Sequence, residues 1–198
     1  PVMSLERALA TGAPILHAGM TTGGKPLVHM SGPSNIAARM ELKRGDVDTG
    51  FAEADVVVEH EFPTPMVHQG YIEPHAAIAR VGADGRIVLW TTTQAPFLVR
   101  HACAGILHLD AANIRVIPTE IGGGFGGKIA VYLEPLAIVL SQKSGRPVKM
   151  VMDRDEVFRA TGPTSGCHIR KKLGARRDGT LVAARASMWY DAGAYKGS

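Results

Sequence analysis

The reading turns on one continuous stretch. Ile114-Arg115-Val116-Ile117-Pro118-Thr119-Glu120 leads into Ile121-Gly122-Gly123-Gly124-Phe125-Gly126-Gly127-Lys128, and an apolar run follows to Lys143. The β-branched residues at 114–117 predict a strand over 114–120. The run from about Val131 to Lys143 predicts a helix, stopped by Gly145 and Pro147, with Pro135 tolerable only near its first turn. Five glycines between strand and helix let the backbone approach a ligand closely, and successive amides beside a helix N-terminus favour an anion. Three templates fit. Gly122, Gly124 and Gly127 satisfy the dinucleotide pattern G-x-G-x-x-G, but no acid ends a strand at the expected distance of about 20 residues. Gly122, Gly127 and Lys128 satisfy most of a P-loop, but Ile129 stands where a Ser or Thr would hold Mg²⁺. The third template is a tight turn that packs helix against strand.

Working outward, residues 96–109 carry helical spacing, with Leu98, Ala102, Gly105, Ile106 and Leu109 on one face. Residues 76–81 and 86–93 flank Ala83-Asp84-Gly85 as a hairpin, and residues 168–175 and 180–189 flank Arg177-Asp178-Gly179 as another. Residues 56–62 read as a strand ended by Pro63 and Pro65, and residues 148–153 as a further strand. A short helix is expected over 46–54, with Asp46 or Asp48 near its N-cap. Residues 1–45 are rich in Gly, Pro, Ser and Thr without a lasting period, which predicts an extended arm or linker. Helices and strands with intervening hairpins predict an α+β fold, with mixed sheets, β-hairpins and packed helices.

The 198 residues suit about one domain and can bury a core without disulfide or metal staples. Two cysteines, Cys103 and Cys167, exclude a disulfide scaffold and a four-cysteine cluster held by this chain alone. Cys103 reads as a buried small hydrophobe, and nothing marks Cys167 as a nucleophile. His68, Glu73 and His75 match no closed zinc pattern, so no metal site is expected. No apolar run reaches the ~18 residues of a membrane span, and no leader follows Pro1, so no membrane association and a cytoplasmic location are expected. Charge is uneven. Residues 46–73 hold seven acids and no Lys or Arg, whereas residues 143–177 hold ten Lys or Arg and three acids. A solvated strand face explains this better than nucleic acid, because no aromatic–basic interleaving offers a stacking platform.

The glycine loop Ile121–Lys128 closely resembles that of the molybdenum hydroxylase large subunits, the family of xanthine dehydrogenase, aldehyde oxidase and aerobic carbon monoxide dehydrogenase. Other stretches match in order: Arg44-Gly45-Asp46-Val47, His68-Gln69-Gly70-Tyr71-Ile72-Glu73-Pro74-His75, Thr91-Thr92-Thr93-Gln94, Gly145-Arg146-Pro147-Val148, Asp153-Arg154-Asp155-Glu156 and Asp191-Ala192-Gly193-Ala194-Tyr195. In that family a pyranopterin carries molybdenum. A metal-bound hydroxide attacks an electrophilic carbon, a hydride passes to a sulfido ligand, and electrons leave through iron–sulfur clusters and usually FAD on other domains or subunits. The resemblance implies a fragment or split subunit of such an oxidoreductase, with residues 46–198 as part of the first molybdopterin-binding domain, forming one wall of the cofactor site. Gln94 would reach an oxo ligand, Phe125 and Gly126 would lie against the metal centre, and Gly123, Gly124 and Gly127 would complete the cofactor-binding loop. Ile129 would line the substrate pocket. The partners implied are the remainder of the large subunit, the iron–sulfur and FAD subunits or domains, and a small-molecule substrate.

The family's large subunit is several times longer. Its general-base glutamate is expected beyond Ser198, so no catalytic residue is expected in this chain, and by itself the chain should be inactive and hold little or no cofactor. The alternative reading is a non-enzymatic module that uses the loop to bind phosphate or to assemble with a partner. The resemblance also bears on substrate. Purine-oxidising relatives carry a substrate-contacting Glu directly after the loop Lys, where this chain has Ile129. A purine polar atom left unpaired there costs about 1–3 kcal/mol, roughly 5- to 150-fold. The complete enzyme should therefore show low kcat/KM for xanthine, and Ile129→Glu should raise it relative to aldehydes. A wild-type enzyme that strongly prefers xanthine would show that purine recognition lies elsewhere.

Overall fold

The computed structural model describes residues 4–18 and 34–194. In chain order the elements are α1 (Leu5–Leu9), α2 (Val47–Ala52), β1 (Val56–Thr64), β2 (Ala76–Val81), β3 (Ile87–Thr91), α3 (Pro96–Leu107), β4 (Ile114–Pro118), α4 (Glu134–Ser144), β5 (Val148–Val151), α5 (Arg154–Ala160), β6 (Cys167–Ala175) and β7 (Leu181–Tyr190). They fall into two units, one of residues 67–164 and one of residues 1–66 with 165–198. The architecture is the expected α+β, with two mixed groups of helices and strands.

Unit 67–164 is built on a four-stranded sheet of order β4-β3-β2-β5. The β2–β3 hairpin is antiparallel, with Ala77 opposite Thr91 and Val81 opposite Ile87. α3 crosses over to β4, which pairs parallel to β3, and β5 pairs antiparallel to β2. Alternate residues of the hairpin point inward: Ala77 and Ala79 on β2, Ile87, Leu89 and Thr91 on β3. They meet Val99, Cys103 and Ala104 of α3 and Ala137 and Ile138 of α4 in one apolar core. Ser141 is fully buried but satisfied: its hydroxyl accepts from the Val81 amide (3.1 Å) and donates to the Arg146 carbonyl (2.8 Å).

Four expectations are corrected here. α3 packs through Val99, Cys103 and Ala104, whereas Leu98 and Ile106, on the expected face, are exposed. The helix is apolar nearly all round, so periodicity could not choose between its stripes. α4 starts at Glu134, not near Val131, because the Glu134 carboxylate accepts from the Tyr132 amide (2.8 Å) and the Thr91 hydroxyl (2.7 Å) and turns the chain just before the helix. The strand from 148 is shorter, because Asp153 instead caps a helix that the sequence reading missed. Asp153 accepts from the Glu156 amide (2.7 Å) and Glu156 from the Asp153 amide (2.9 Å), a capping box that starts α5. β1 runs through Pro63, which lies opposite His168. Pro63 is tolerated because β1 is an edge strand, where a missing N–H breaks no second ladder.

The second unit holds the antiparallel sheet β1-β6-β7. Here the uneven charge resolves. β1 pairs with β6 so that Glu61 faces Arg170 and Glu59 faces Lys172. Arg176 reaches Glu53, and Arg185 reaches Asp48 at 2.7 Å. The acidic and basic stretches are thus one another's solvated neighbours, each pair worth little by itself. α2, capped by Asp46 as expected, packs on the sheet at Gly50, where a Cβ would lie 2.6 Å from the Val182 carbonyl oxygen. α1 falls within the region read as an arm, and residues 34–45 of that region carry no helix or strand. Residues 19–33 of the arm and Tyr195 lie outside the described residues.

Leu89 is fully buried at the centre of its sheet, whereas Val57 on β1 is 45% exposed. Leu89→Ala should cost about 2–5 kcal/mol by urea denaturation. Val57→Ala should stay within about 0.5 kcal/mol. Equal losses would show that the core is not where the burial places it.

Candidate functional site

The glycine loop lies wholly within unit 67–164 and is tied at both ends. At its entrance the Gly122 amide donates to Glu73 Oε2 (2.8 Å), and the Glu73 amide donates back to the Gly122 carbonyl (3.3 Å). At its exit the buried ammonium of Lys128 donates to the same Glu73 oxygen at 2.6 Å. Gln94 holds the inner side. Its Oε1 accepts from the amides of Gly126 (3.0 Å) and Lys128 (3.3 Å), and its own amide donates to the Lys128 carbonyl (2.9 Å).

Close approach accounts for three of the glycines. A Cβ at Gly122 would lie 2.6 Å from Glu73 Cβ, one at Gly124 2.4 Å from Gln94 Oε1, and one at Gly127 2.6 Å from the Tyr71 ring. The other two, Gly123 and Gly126, take φ of 96° and 89°, conformations that side chains avoid. Phe125 has no such freedom, yet it sits at φ 51° with its ring 73% exposed. A left-handed residue with a side chain costs about 1–2 kcal/mol, so the surrounding hydrogen bonds hold this strained tip in place.

The three threonines before Gln94 are structural. Thr91 donates to Glu134, Thr92 accepts from the Ala76 amide (3.1 Å), and Thr93 donates to the Lys128 carbonyl (3.1 Å) while accepting from the Ala95 amide (3.0 Å). They set the end of β3 so that Gln94 faces the loop. Tyr71, 1% exposed, braces the loop from beneath: its hydroxyl hydrogen-bonds His75 Nε2 (2.7 Å), and its ring lies 5.1 Å from the Lys128 ammonium. His68 bonds Thr161 and accepts from the Gly70 amide. Among the described residues no group of His, Cys, Asp and Glu could hold a metal ion.

Counting loop donors shows what remains for a ligand. The amides of Gly122, Gly126, Gly127 and Lys128 are all engaged. Those of Gly123, Gly124 and Phe125 have no partner among the described residues, and neither does the Gln94 NH₂ group. Gln69, whose side chain lies against Gly127, has a buried Oε1 without a partner. The phosphate-loop alternative loses both its features. Lys128 is buried against Glu73, and six residues, 128–133, separate the last loop glycine from α4, so the loop does not run directly into a helix as a phosphate loop does. Ile129 is half-buried directly after the loop. Glu134 is spent on Thr91 and Tyr132, and Glu120 is exposed, as is the loop tip. The Glu73–Lys128 pair, which organises the loop, was not foreseen. Its partners are 55 positions apart, and only the buried position of a lysine after the glycines could have signalled it.

Burial works to raise the Glu73 carboxyl, but the Lys128 hydrogen bond, the Gly122 amide and the Lys128 charge outweigh it and leave its pKa below the ordinary 4.5. Burial first, then Lys128, pushes His75 below the ordinary 6.5, so it is held neutral. Burial, followed by the Glu134 charge, raises Cys103 to about 12, which makes it an inert thiol. Both Glu73 and His75 have folded values below their unfolded ones, so both contribute stability that is full above the unfolded pKa and is lost as pH falls. The denaturation midpoint of this unit should fall first below pH 6.5, as His75 protonates on unfolding, and again below pH 4.5 as the Glu73 contribution is lost. Glu73→Gln should remove the lower step, and a midpoint flat from pH 7 to 4 would contradict both assignments.

The model of the molybdopterin cofactor-binding domain matches residues 28–198. The nicotinate dehydrogenase large molybdopterin subunit of Eubacterium barkeri is 32% identical over 194 residues, 98% of this chain and 42% of that subunit. The xanthine dehydrogenase molybdenum-binding subunit of Escherichia coli O157:H7 is 32% identical over 191 residues, 96% of this chain and 24% of that subunit. Among solved structures, the aldehyde oxidoreductase from Desulfovibrio gigas superposes with a TM-score of 0.63 at 29% identity, over 74% of this chain and 16% of that one. The chain thus spans less than half the length of these relatives. No helix among the described residues is long and apolar enough to cross a membrane. With the domain model matching residues 28–198 and a relative 32% identical over 98% of the chain, the chain belongs to the molybdopterin cofactor-binding domain family of the molybdenum hydroxylase large subunits.

Proposed function

We propose that this chain forms one wall of the molybdopterin site in a molybdenum hydroxylase-type oxidoreductase, as a fragment or split subunit of its large subunit. One observation carries the reading. Between Gly122 and Lys128, where the other four amides are bonded, the consecutive amides of Gly123, Gly124 and Phe125 are unpaired among the described residues, and the unpaired NH₂ of Gln94 belongs to the side chain packed on Gly124. These are donors suited to cofactor oxygens, and the strained, exposed Phe125 offers an aromatic face beside them. The donor set therefore fits the group. When bound, the molybdenum cofactor supplies the redox and oxygen-transfer chemistry. Gln94 holds the loop with its carbonyl and presents its NH₂ outward. Gly126 and Gly127 shape the loop without offering amides, and Ile129 gives an apolar wall where a substrate ring would otherwise be hydrogen-bonded.

Glu73 and Glu134 are both engaged, and Glu120 is exposed beside the loop. The general base is assigned to the rest of the large subunit, as the family resemblance implies. Iron–sulfur and FAD subunits or domains serve as electron acceptors, since neither Cys103 nor Cys167 could ligate a cluster by itself. The substrate is a small molecule, with neither nucleic acid nor membrane as partner. Two free, buried thiols accord with a cytoplasmic location. Residues 46–198 form the partial first molybdopterin-binding domain in this reading and residues 1–45 an arm or linker, although the family match begins within that arm, at residue 28.

Gln94→Ala in the complete enzyme removes both the loop strut and the outward donor. Molybdenum retention or turnover should fall about 10–100-fold, with a smaller change in thermal midpoint. Unchanged molybdenum content and turnover in the variant would exclude Gln94, and with it this loop, from the cofactor site.

A further inference from the structure

We propose that Glu73 is a positioning residue for the cofactor loop: a single carboxylate oxygen ties the loop's entrance at the Gly122 amide to its exit at the Lys128 ammonium, and so sets the three unpaired amides between them. The inference rests on the cofactor-wall reading above and adds to it a residue that touches neither cofactor nor substrate.

The geometry is that of a clasp. Glu73 Oε2 receives Gly122 N–H at 2.8 Å and Lys128 Nζ at 2.6 Å, and the Glu73 amide returns a bond to the Gly122 carbonyl. The two backbones approach so closely that a Cβ at Gly122 would lie 2.6 Å from Glu73 Cβ. Lys128 has a side chain with no exposed surface, and Glu73 is the only acid in salt-bridge reach of it among the described residues. An ammonium so placed cannot be released to water without unpacking the loop. Glu73 in turn cannot drift. Tyr71 and His75, on either side of it in sequence, are locked to each other by a 2.7 Å hydrogen bond and are both buried. Between the clasped ends lie Gly123 at φ 96° and Phe125 at φ 51°. These conformations would relax if the ends were freed, and with them would go the alignment of the amides.

A pair that merely neutralises buried charge makes a different prediction from a clasp. The test uses the complete enzyme with Glu73→Gln, Lys128→Met and the double variant, each made with and without molybdenum cofactor. Thermal midpoint, hydrogen exchange of peptides spanning 122–128, and molybdenum per subunit are measured. Each single variant leaves an uncompensated group and should lower the midpoint. The double variant removes both charges and should recover most of the midpoint, so a readout survives even if a single variant fails to fold. If Glu73 is a clasp, the double variant still exchanges its loop amides about tenfold or more faster than wild type in the cofactor-free enzyme, and retains about 10–100-fold less molybdenum. Recovery of loop protection and molybdenum together with the midpoint would overturn the proposal, leaving the pair as charge neutralisation only. Faster loop exchange with molybdenum retention unchanged would overturn it through its premise, because the loop would then be clasped but would not be a cofactor wall.

Discussion

An ammonium group with no exposed surface must find a counter-charge within its own packing, because an unpaired charge in a protein interior costs several kcal/mol even after relaxation. Lys128 meets that requirement with Glu73, and much of unit 67–164 follows from the way it does so. Glu73 must lie under the loop, so the segment from His68 to His75 passes beneath it and Tyr71 becomes the largest fully buried side chain among the described residues. Tyr71 and Glu73 then stand so close to the loop that Gly122 and Gly127 can carry no side chain. A glycine-rich sequence that suggests flexibility is, in this fold, a set of close contacts around a buried ion pair.

From Gly122 to Lys128 the loop's amides fall into two sets. Four are spent on Glu73, on Gln94 and within the loop itself, and these fix its shape. Three consecutive ones are left over, and they coincide with the strained tip at Phe125. Preorganised donors of this kind need no rearrangement when an oxygen arrives, which is the property a cofactor wall requires.

The other unit solves a different problem. Its three-stranded sheet has few buried apolar residues, Cys167 and Ala183 among them, and β1 is exposed along its whole length. Backbone ladders join β1 to β6 and β6 to β7, and in that register an acidic segment lies opposite a basic one, with Lys172 and Arg185 over the Phe51 ring at 4.9 and 5.7 Å. Register sets Arg170 and Lys172 of the basic stretch opposite Glu61 and Glu59 of the acidic one.

Sequence alone determined the features that depend on neighbours in the chain. Both hairpins were legible from Asp-Gly turns between alternating strands, the start of α2 from Asp46, and the strand before the glycine loop from its β-branched run, because turn, cap and strand preferences are local. The family was legible because several short motifs occur in one order. The capping box at Asp153 and Glu156 was equally local and could have been read. Tertiary structure alone decided the rest. It selected Val99, Cys103 and Ala104 as the inward face of α3, because a helix with more than one apolar stripe is oriented only by what it meets. It brought Glu73 to Lys128 across 55 positions, and Gln94 to Gly126 across 32, and so decided which loop amides are spent and which remain. Composition can list donors and charges, but whether a donor is satisfied or a charge is paired depends on distances between segments, and those exist only once the chain has folded.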